Sequence, residues 1–228
     1  MRLLVVNGDD FGLARGVNEG IIEAHTRGIL TSTSLMVLRP AAEEAGALAR
    51  AHSKLSVGLH FEEDGATELN DPVQAERALL AQLERFHRLV GRNPTHLDSH
   101  HHVHAEGDRM VTFKSFASRW GIPLRNDGQV AYIGGFWAQW EPGVTNLDYI
   151  RRPFLRHLVD AEVGEGFTEL ACHPARVSED LDSNYLHERE VELQTLTEAG
   201  LREELQGAGV RLVSYHDWPS PGRSDASQ

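Results

Sequence analysis

The chain has 228 residues, 40% hydrophobic and 25% charged, which is the composition of an ordinary globular protein long enough to bury a substantial core. A formal net charge of −12, with 34 acids against 22 bases, argues against a nucleic-acid backbone as partner, because such binding needs clustered Lys and Arg. No apolar run approaches the ~20 residues that span a bilayer, and the lone Cys172 has no partner for an internal disulfide.

These features predict a cytoplasmic protein with one domain over residues 1–218 and a disordered tail over 219–228, PSPGRSDASQ. In chain order, short apolar stretches alternate with longer amphipathic ones. A first strand, Leu3 to Asn7, runs into the paired acids of NGDDFG. Further strands are predicted at Thr31 to Val37, Ser56 to Phe61, His96 to His100, Pro123 to Arg125, Glu169 to His173 and Val210 to Tyr215. Helices are predicted between them, at Val17 to Thr26, Ala41 to His52, Pro72 to Val90, Asp108 to Trp120, Leu147 to Asp160 and Glu188 to Leu205. The third carries Leu79, Leu80, Leu83, Phe86, Leu89 and Val90 at helical spacing. The stretch Gly128 to Pro142, with Trp137 and Trp140, reads as a long aromatic loop, either packing over the mouth of the fold or offering a platform for sugar stacking. This order of elements defines an α/β fold with a mainly parallel sheet. Periodicity leaves open whether the sheet closes into a barrel or stays doubly wound.

In either architecture functional side chains gather at the carboxyl ends of parallel strands. The unusual residues fall there: Asp9 and Asp10, His60, His100, Arg125, His173, and His216 with Asp217. Two adjacent acids would point to opposite sides of a regular strand, so the turn between Gly8 and Gly12 must bend if both are to face one cavity. Helix capping is the plain alternative for either acid, and a satisfied core histidine is the plain alternative for His60. The segment HLDSHHHVH places five of the chain's 13 histidines within residues 96–104. It is internal and punctuated, unlike a purification tag, and His96, Asp98 and His100 would share one strand face. One carboxylate near residue 10, with His60 and His100, would form three protein ligands around a cation with positions left for water and substrate. An adjacent carboxylate can fix the imidazole tautomer. Cys172 reads as a buried thiol in preference to a nucleophile.

The motifs NGDDFG, GIIEAHTRGILTSTS, VGLHF, PTHLDSHHHVH, LRND and LACHPA, in this order, resemble the YdjC-like carbohydrate deacetylase family. The resemblance runs from Leu3 to about Tyr215. It implies a distorted (β/α) barrel, one divalent metal, and hydrolysis of the acetyl group of an N-acetylated amino sugar or short oligosaccharide, commonly by a homodimer. On the matching positions it implies Asp10, His60 and His100 as metal ligands and, by analogy with other metal-dependent polysaccharide deacetylases, Asp9 as general base. His173 of the CHP motif would be the acid or an oxyanion donor. Arg125 and His104 are candidates for the substrate, and Tyr185, Arg189 and Glu192 match a further pattern. Two imidazoles and a carboxylate favour Zn²⁺, with Mg²⁺ or another divalent ion permitted. The segment after His60, EEDGATELNDP, is shorter than in long-chain sugar members, which bears on substrate length. Rival readings are a phosphoesterase or glycosidase on the same barrel, and a non-catalytic metal-dependent sugar-binding or regulatory protein.

Overall fold

The computed structural model describes residues 1–141 and 143–219, so the expected tail lies, from residue 220 on, outside the described residues. Seven strands form one sheet: β1 Arg2–Phe11, β2 Ser32–Leu35, β3 Ser56–Phe61, β4 Leu97–Ser99, β5 Ala131–Ile133, β6 Gly166–Cys172 and β7 Val210–Leu212. Their order is β4-β3-β2-β1-β6-β5, every pairing is parallel, and β7 pairs with Arg2–Leu4 at the amino end of β1. Around them lie α1 Arg15–Arg27, α2 Ala42–Ala51, α3 Pro72–Val90, α4 Arg109–Trp120, α5 Arg152–Glu162, α6 His187–Leu196 and α7 Leu201–Gly207. The sheet curls. Leu124 bridges to Leu97 on β4, and the next residue, Arg125, reaches Glu169 on β6 at 2.8 Å. The chain beside the β4 edge therefore reaches β6 across the interior, and the sheet is a curled, incompletely closed α/β barrel.

Helix α3 shows why these segments take these shapes. Asp71 caps it by accepting from the Val73 and Gln74 amides at 2.9 and 3.4 Å, Pro72 opens it, and Gly91 ends it at φ 77°. Its buried stripe is Leu79, Leu83, Phe86, Leu89 and Val90. Leu80, one position round from Leu79, turns to solvent, as a helical step of 100° requires. Truncating Phe86 to Ala would remove about 3–5 kcal/mol of stability.

Four expectations differ from the structure, and one is the helix expected over Leu147 to Asp160, which is a 3-10 turn at Leu147–Ile150 followed by α5 from Arg152. The stretch read as one long loop contains β5, whose three residues Ala-Tyr-Ile are too few to show the alternation of a strand. Pro123 to Arg125 makes only the Leu124 bridge. The single helix expected over Glu188 to Leu205 is two, α6 and α7, broken where Gly200 takes φ 79°.

Candidate active site and metal centre

The site begins with a distortion of β1. Gly8 pairs with Thr33 of β2 but Phe11 pairs with Leu35, so β1 holds one extra residue between these registers. Asp10 sits in the left-handed region at φ 69°, and Gly12 follows at φ 93° with only 2.9 Å between the place of a Cβ and the Met36 carbonyl. This bulge turns both Asp9 and Asp10 into one cavity of about 590 Å³. A regular strand would have separated them.

His60 ends β3 and His100 follows β4. After His100 the chain turns sharply, because His101 and His102 both adopt left-handed backbone at φ 52° and 55°. Of the three consecutive histidines, His100 alone points at Asp10, with Nδ1 3.3 Å from Oδ1. His60 Nε2 lies 3.6 Å from the same oxygen. Asp10, His60 and His100 each offer one ligand atom, all within 4.8 Å of one another.

The chemistry of this donor set fits a divalent ion. His60 Nδ1 donates to Asp98 Oδ1 at 2.7 Å, so Nε2, facing Asp10, is the nitrogen that could offer a lone pair to a cation on losing its proton. Burial opposes a charge on His60, yet Asp98 and Asp10 outweigh it and push its pKa up to about 10. The position thus attracts positive charge, and a metal ion would displace that proton. Asp10 is itself held well below the usual carboxylate range: burial works against ionisation, and Arg189 with the two imidazoles prevails. A second set, Asp9, His60 and Asp98, meets the same spacing, but both its carboxylates are engaged by Arg125.

Asp9 is clasped rather than free. Arg125 Nη1 and Nη2 donate to its two oxygens at 2.7 Å each, and Asn7 Nδ2 and Ser34 Oγ add donors at 2.8 and 3.3 Å. Burial would raise its pKa, but the Arg125 guanidinium holds it below the ordinary value, so Asp9 is ionised at neutral pH. The same guanidinium meets Asp98 Oδ2 at 2.8 Å and Glu169 Oε1 at 2.5 Å.

Arg125 and His104 therefore stand behind the cavity wall, contrary to their expected place against the substrate. Arg125 is 1% exposed and its fork is filled by three carboxylates. His104 is fully buried: Nε2–H donates to the Arg125 carbonyl at 3.0 Å and Nδ1 accepts from Ser99 Oγ at 2.6 Å. His173 does line the cavity, edge-on to Trp137 at 5.0 Å, and burial pushes its pKa down to about 4. Trp137 stacks on Tyr185 at 3.9 Å in the same wall, while Trp140 is 59% exposed and does not line the cavity. His216 and Asp217 do not reach this rim, because β7 pairs with the amino end of β1; Asp217 lines a different cavity.

Sequence reasoning assigned no role to several groups that complete the site. Helix α6 brings Arg189 to Asp10 Oδ2 at 2.7 Å and Glu192 to the His173 amide at 2.5 Å, and Tyr185 Oη donates to Glu192 at 2.7 Å. Glu169 was hidden as the one acid inside an apolar strand. Such an acid implies a buried cation, which is the signal that could have paired it with Arg125.

The curled parallel α/β fold is shared with solved carbohydrate esterases. A family 4 acetyl xylan esterase from Clostridium thermocellum, solved with a cobalt ion, shares the fold at TM-score 0.55 and 15% identity, covering 94% of this chain and 88% of its own. A candidate cellobiose-phosphate cleavage protein from Enterococcus faecalis V583 superposes at TM-score 0.79 with 25% identity, covering 94% of this chain and 98% of its own. Residues 3–62 and 62–207 match the family described as YdjC-like protein, and the chain belongs to that family. A carbohydrate deacetylase of Geobacillus stearothermophilus is 35% identical over 248 residues, covering 95% of this chain and 98% of its own. A chitooligosaccharide deacetylase of Klebsiella pneumoniae (strain 342) is 36% identical over 253 residues, covering 95% and 99%. The family match divides at residue 62, where the short connection between β3 and α3 begins.

Proposed function

We propose that the protein is a carbohydrate N-deacetylase that hydrolyses the acetyl amide of an N-acetylated amino sugar or short chitooligosaccharide-type chain. One divalent ion would be held by Asp10, His60 and His100, with Zn²⁺ favoured by the two imidazoles. The observation that carries the reading is the β1 bulge: it places two adjacent carboxylates in one cavity, Asp10 joined to the imidazoles and Asp9 held beside it on a separate arginine. When bound, the ion supplies Lewis-acid polarisation of the acetyl carbonyl and lowers the pKa of water.

The residues of the chain do the rest. Asp9, kept ionised by Arg125, takes the proton of the attacking water on a carboxylate oxygen. Arg125, with Asn7 and Ser34, orients that carboxylate, and His104 supports Arg125 through its carbonyl. His173, neutral at pH 7, supports the role of hydrogen-bond donor to the developing oxyanion better than that of a standing acid. The proton on Asp9 is then the one available to the departing amine, so that amide and water become acetic acid and amine, which at neutral pH are acetate and ammonium.

All these groups come from segments between residues 7 and 192 on one curled sheet, which supports one catalytic domain over residues 1–218. Cytoplasmic residence accords with Cys172, a buried thiol donating to the Asn7 carbonyl at 3.2 Å. Among the described residues no helix is long and apolar enough to cross a membrane. A homodimer completes the reading on family likeness alone.

The test is an acetate-release assay across N-acetylated mono- and oligosaccharides, with Zn²⁺, Mg²⁺, Mn²⁺, Co²⁺ and Ni²⁺ each restored to chelator-stripped protein. Metal-dependent acetate release is expected. Release of phosphate or reducing sugar without acetate would overturn the assignment.

A further inference from the structure

Asp10 is gripped from both sides. Its Oδ1 faces His60 Nε2 and His100 Nδ1 at 3.6 and 3.3 Å, while its Oδ2 accepts from Arg189 Nη2 at 2.7 Å. Arg189 has little freedom: it is 5% exposed, its Nε donates to the Tyr185 carbonyl at 3.1 Å, and its guanidinium lies 5.9 Å from the Tyr185 ring centroid. It comes from α6, a helix that buries Glu188, Arg189 and Glu192 together on its inner side. The left-handed backbone of Asp10 fixes the carboxylate from the other end.

The partners of the two kinds of ligand oppose each other in sign. Asp98 is an anion behind His60 and makes that imidazole a better donor to a cation. Arg189 is a cation behind Asp10. It occupies the second oxygen and withdraws charge from the first, and its own charge repels an incoming ion.

We propose that Arg189 is a positioning residue that restricts Asp10 to one-oxygen ligation and weakens cation binding, leaving the bound ion more electrophilic than the three ligands alone would make it. The inference rests on the metal reading of Asp10, His60 and His100. It separates from a purely structural role by its sign, since loss of a structural support would weaken metal binding and turnover together.

The experiment compares wild type with Arg189→Met and Arg189→Gln, two neutral side chains of which the second keeps a hydrogen-bond donor. Zn²⁺ affinity of the chelator-stripped proteins is measured by competition with a chromophoric chelator, and kcat and KM for acetate release at saturating Zn²⁺. Both variants are expected to bind Zn²⁺ about tenfold more tightly and to lose about tenfold or more in kcat with little change in KM, the scale on which groups behind metal ligands act. For a variant whose metal-free form is unstable, Zn²⁺ is added during expression and affinity is read by titrating the loaded protein, and loaded wild type alongside it, with the chelator. Affinity equal to or weaker than wild type in the variants, or an unaltered kcat, overturns the proposal. Failure of wild type itself to bind Zn²⁺ or another divalent ion would instead overturn the metal reading beneath it.

Discussion

Two cavities of similar size open on opposite rims of the sheet, and one lacks the buried, partnered acids that define the other. At the amino ends of β2 and β3 a cavity of about 740 Å³ is lined by His25, His52, Lys54, Arg202 and Asp217 among others. Its two histidines hang on the main chain, His25 Nδ1 on the Leu30 carbonyl at 2.9 Å and His52 Nδ1 on the Leu48 carbonyl at 3.0 Å. Lys54 and Arg202 are exposed. At the carboxyl rim the smaller cavity, about 590 Å³, is lined by Asp9, Asp10 and His60, all buried, each held by partners from distant segments. The difference teaches that volume does not mark the chemistry. A charged group is kept out of water only where other charges compensate it, and an ionisable group so held has its proton affinity set by the fold.

The comparison can be broken or sharpened at four points. Asp9→Asn is expected to lose about 10²- to 10⁴-fold in acetate release while still binding metal, the range for removal of a general base. Metal content alongside kcat checks this, and full activity would remove Asp9 from the mechanism. Next, Arg125→Met strands Asp9, Asp98 and Glu169 without their shared cation and should cost about 3–5 kcal/mol in urea unfolding. An unchanged midpoint would show that the buried acids are compensated elsewhere.

The third point is pH. Burial lowers the pKa of His96, His104 and His173 to about 4, whereas unfolded histidine titrates near 6.5. Between those values the unfolded chain binds more protons, so the stability these groups contribute is present above about pH 6.5 and is lost as pH falls through 4. His60, shifted upward, loses its contribution only above 6.5, while buried Glu192, pushed up to about 8, gains stability as pH falls toward 4.5 and opposes the histidines as one group against three. Thermal midpoints of the metal-free protein should therefore decline from pH 6.5 to 4, and a flat profile would contradict the burial of neutral imidazoles. The smallest effect is expected at the other rim, where Lys54→Ala and Arg202→Ala should change stability by no more than about 0.5 kcal/mol and leave acetate release unaltered. A substantial loss of turnover there would erase the distinction between the cavities.

Much of the site was legible because its residue types are rare in their local setting. A histidine ending the apolar run Val-Gly-Leu, and a carboxylate pair ending another, stand out against any core. The Gly58 beside His60 was legible only as a glycine; the structure shows that a Cβ there would come within 2.4 Å of the His96 ring, which is stacked on Tyr215 at 4.1 Å. Arg125, at an expected strand end, and His104, in the histidine-rich segment, are both expected against the substrate. Neither stands there, since a buried guanidinium needs anions more than it needs access. By strand-end position alone Asp217, lining the far cavity, reads like Asp10, and the register of β7 on the amino end of β1 is what sets it on the other rim.

Local pattern carries the alternation of elements, the helical stripe of α3, the parallel character of the sheet and, as candidates, His60, His100 and one carboxylate near residue 10. These depend on local periodicity and on residue chemistry, which the chain carries in every conformation. Only the tertiary structure decided the closure of the sheet through Arg125, the bulge that turns two neighbouring acids the same way, and the pairing of each acid with its own arginine. Those features join residues 116 and 179 positions apart. Such contacts are fixed by where burial forces charges to find each other, and no local pattern records that.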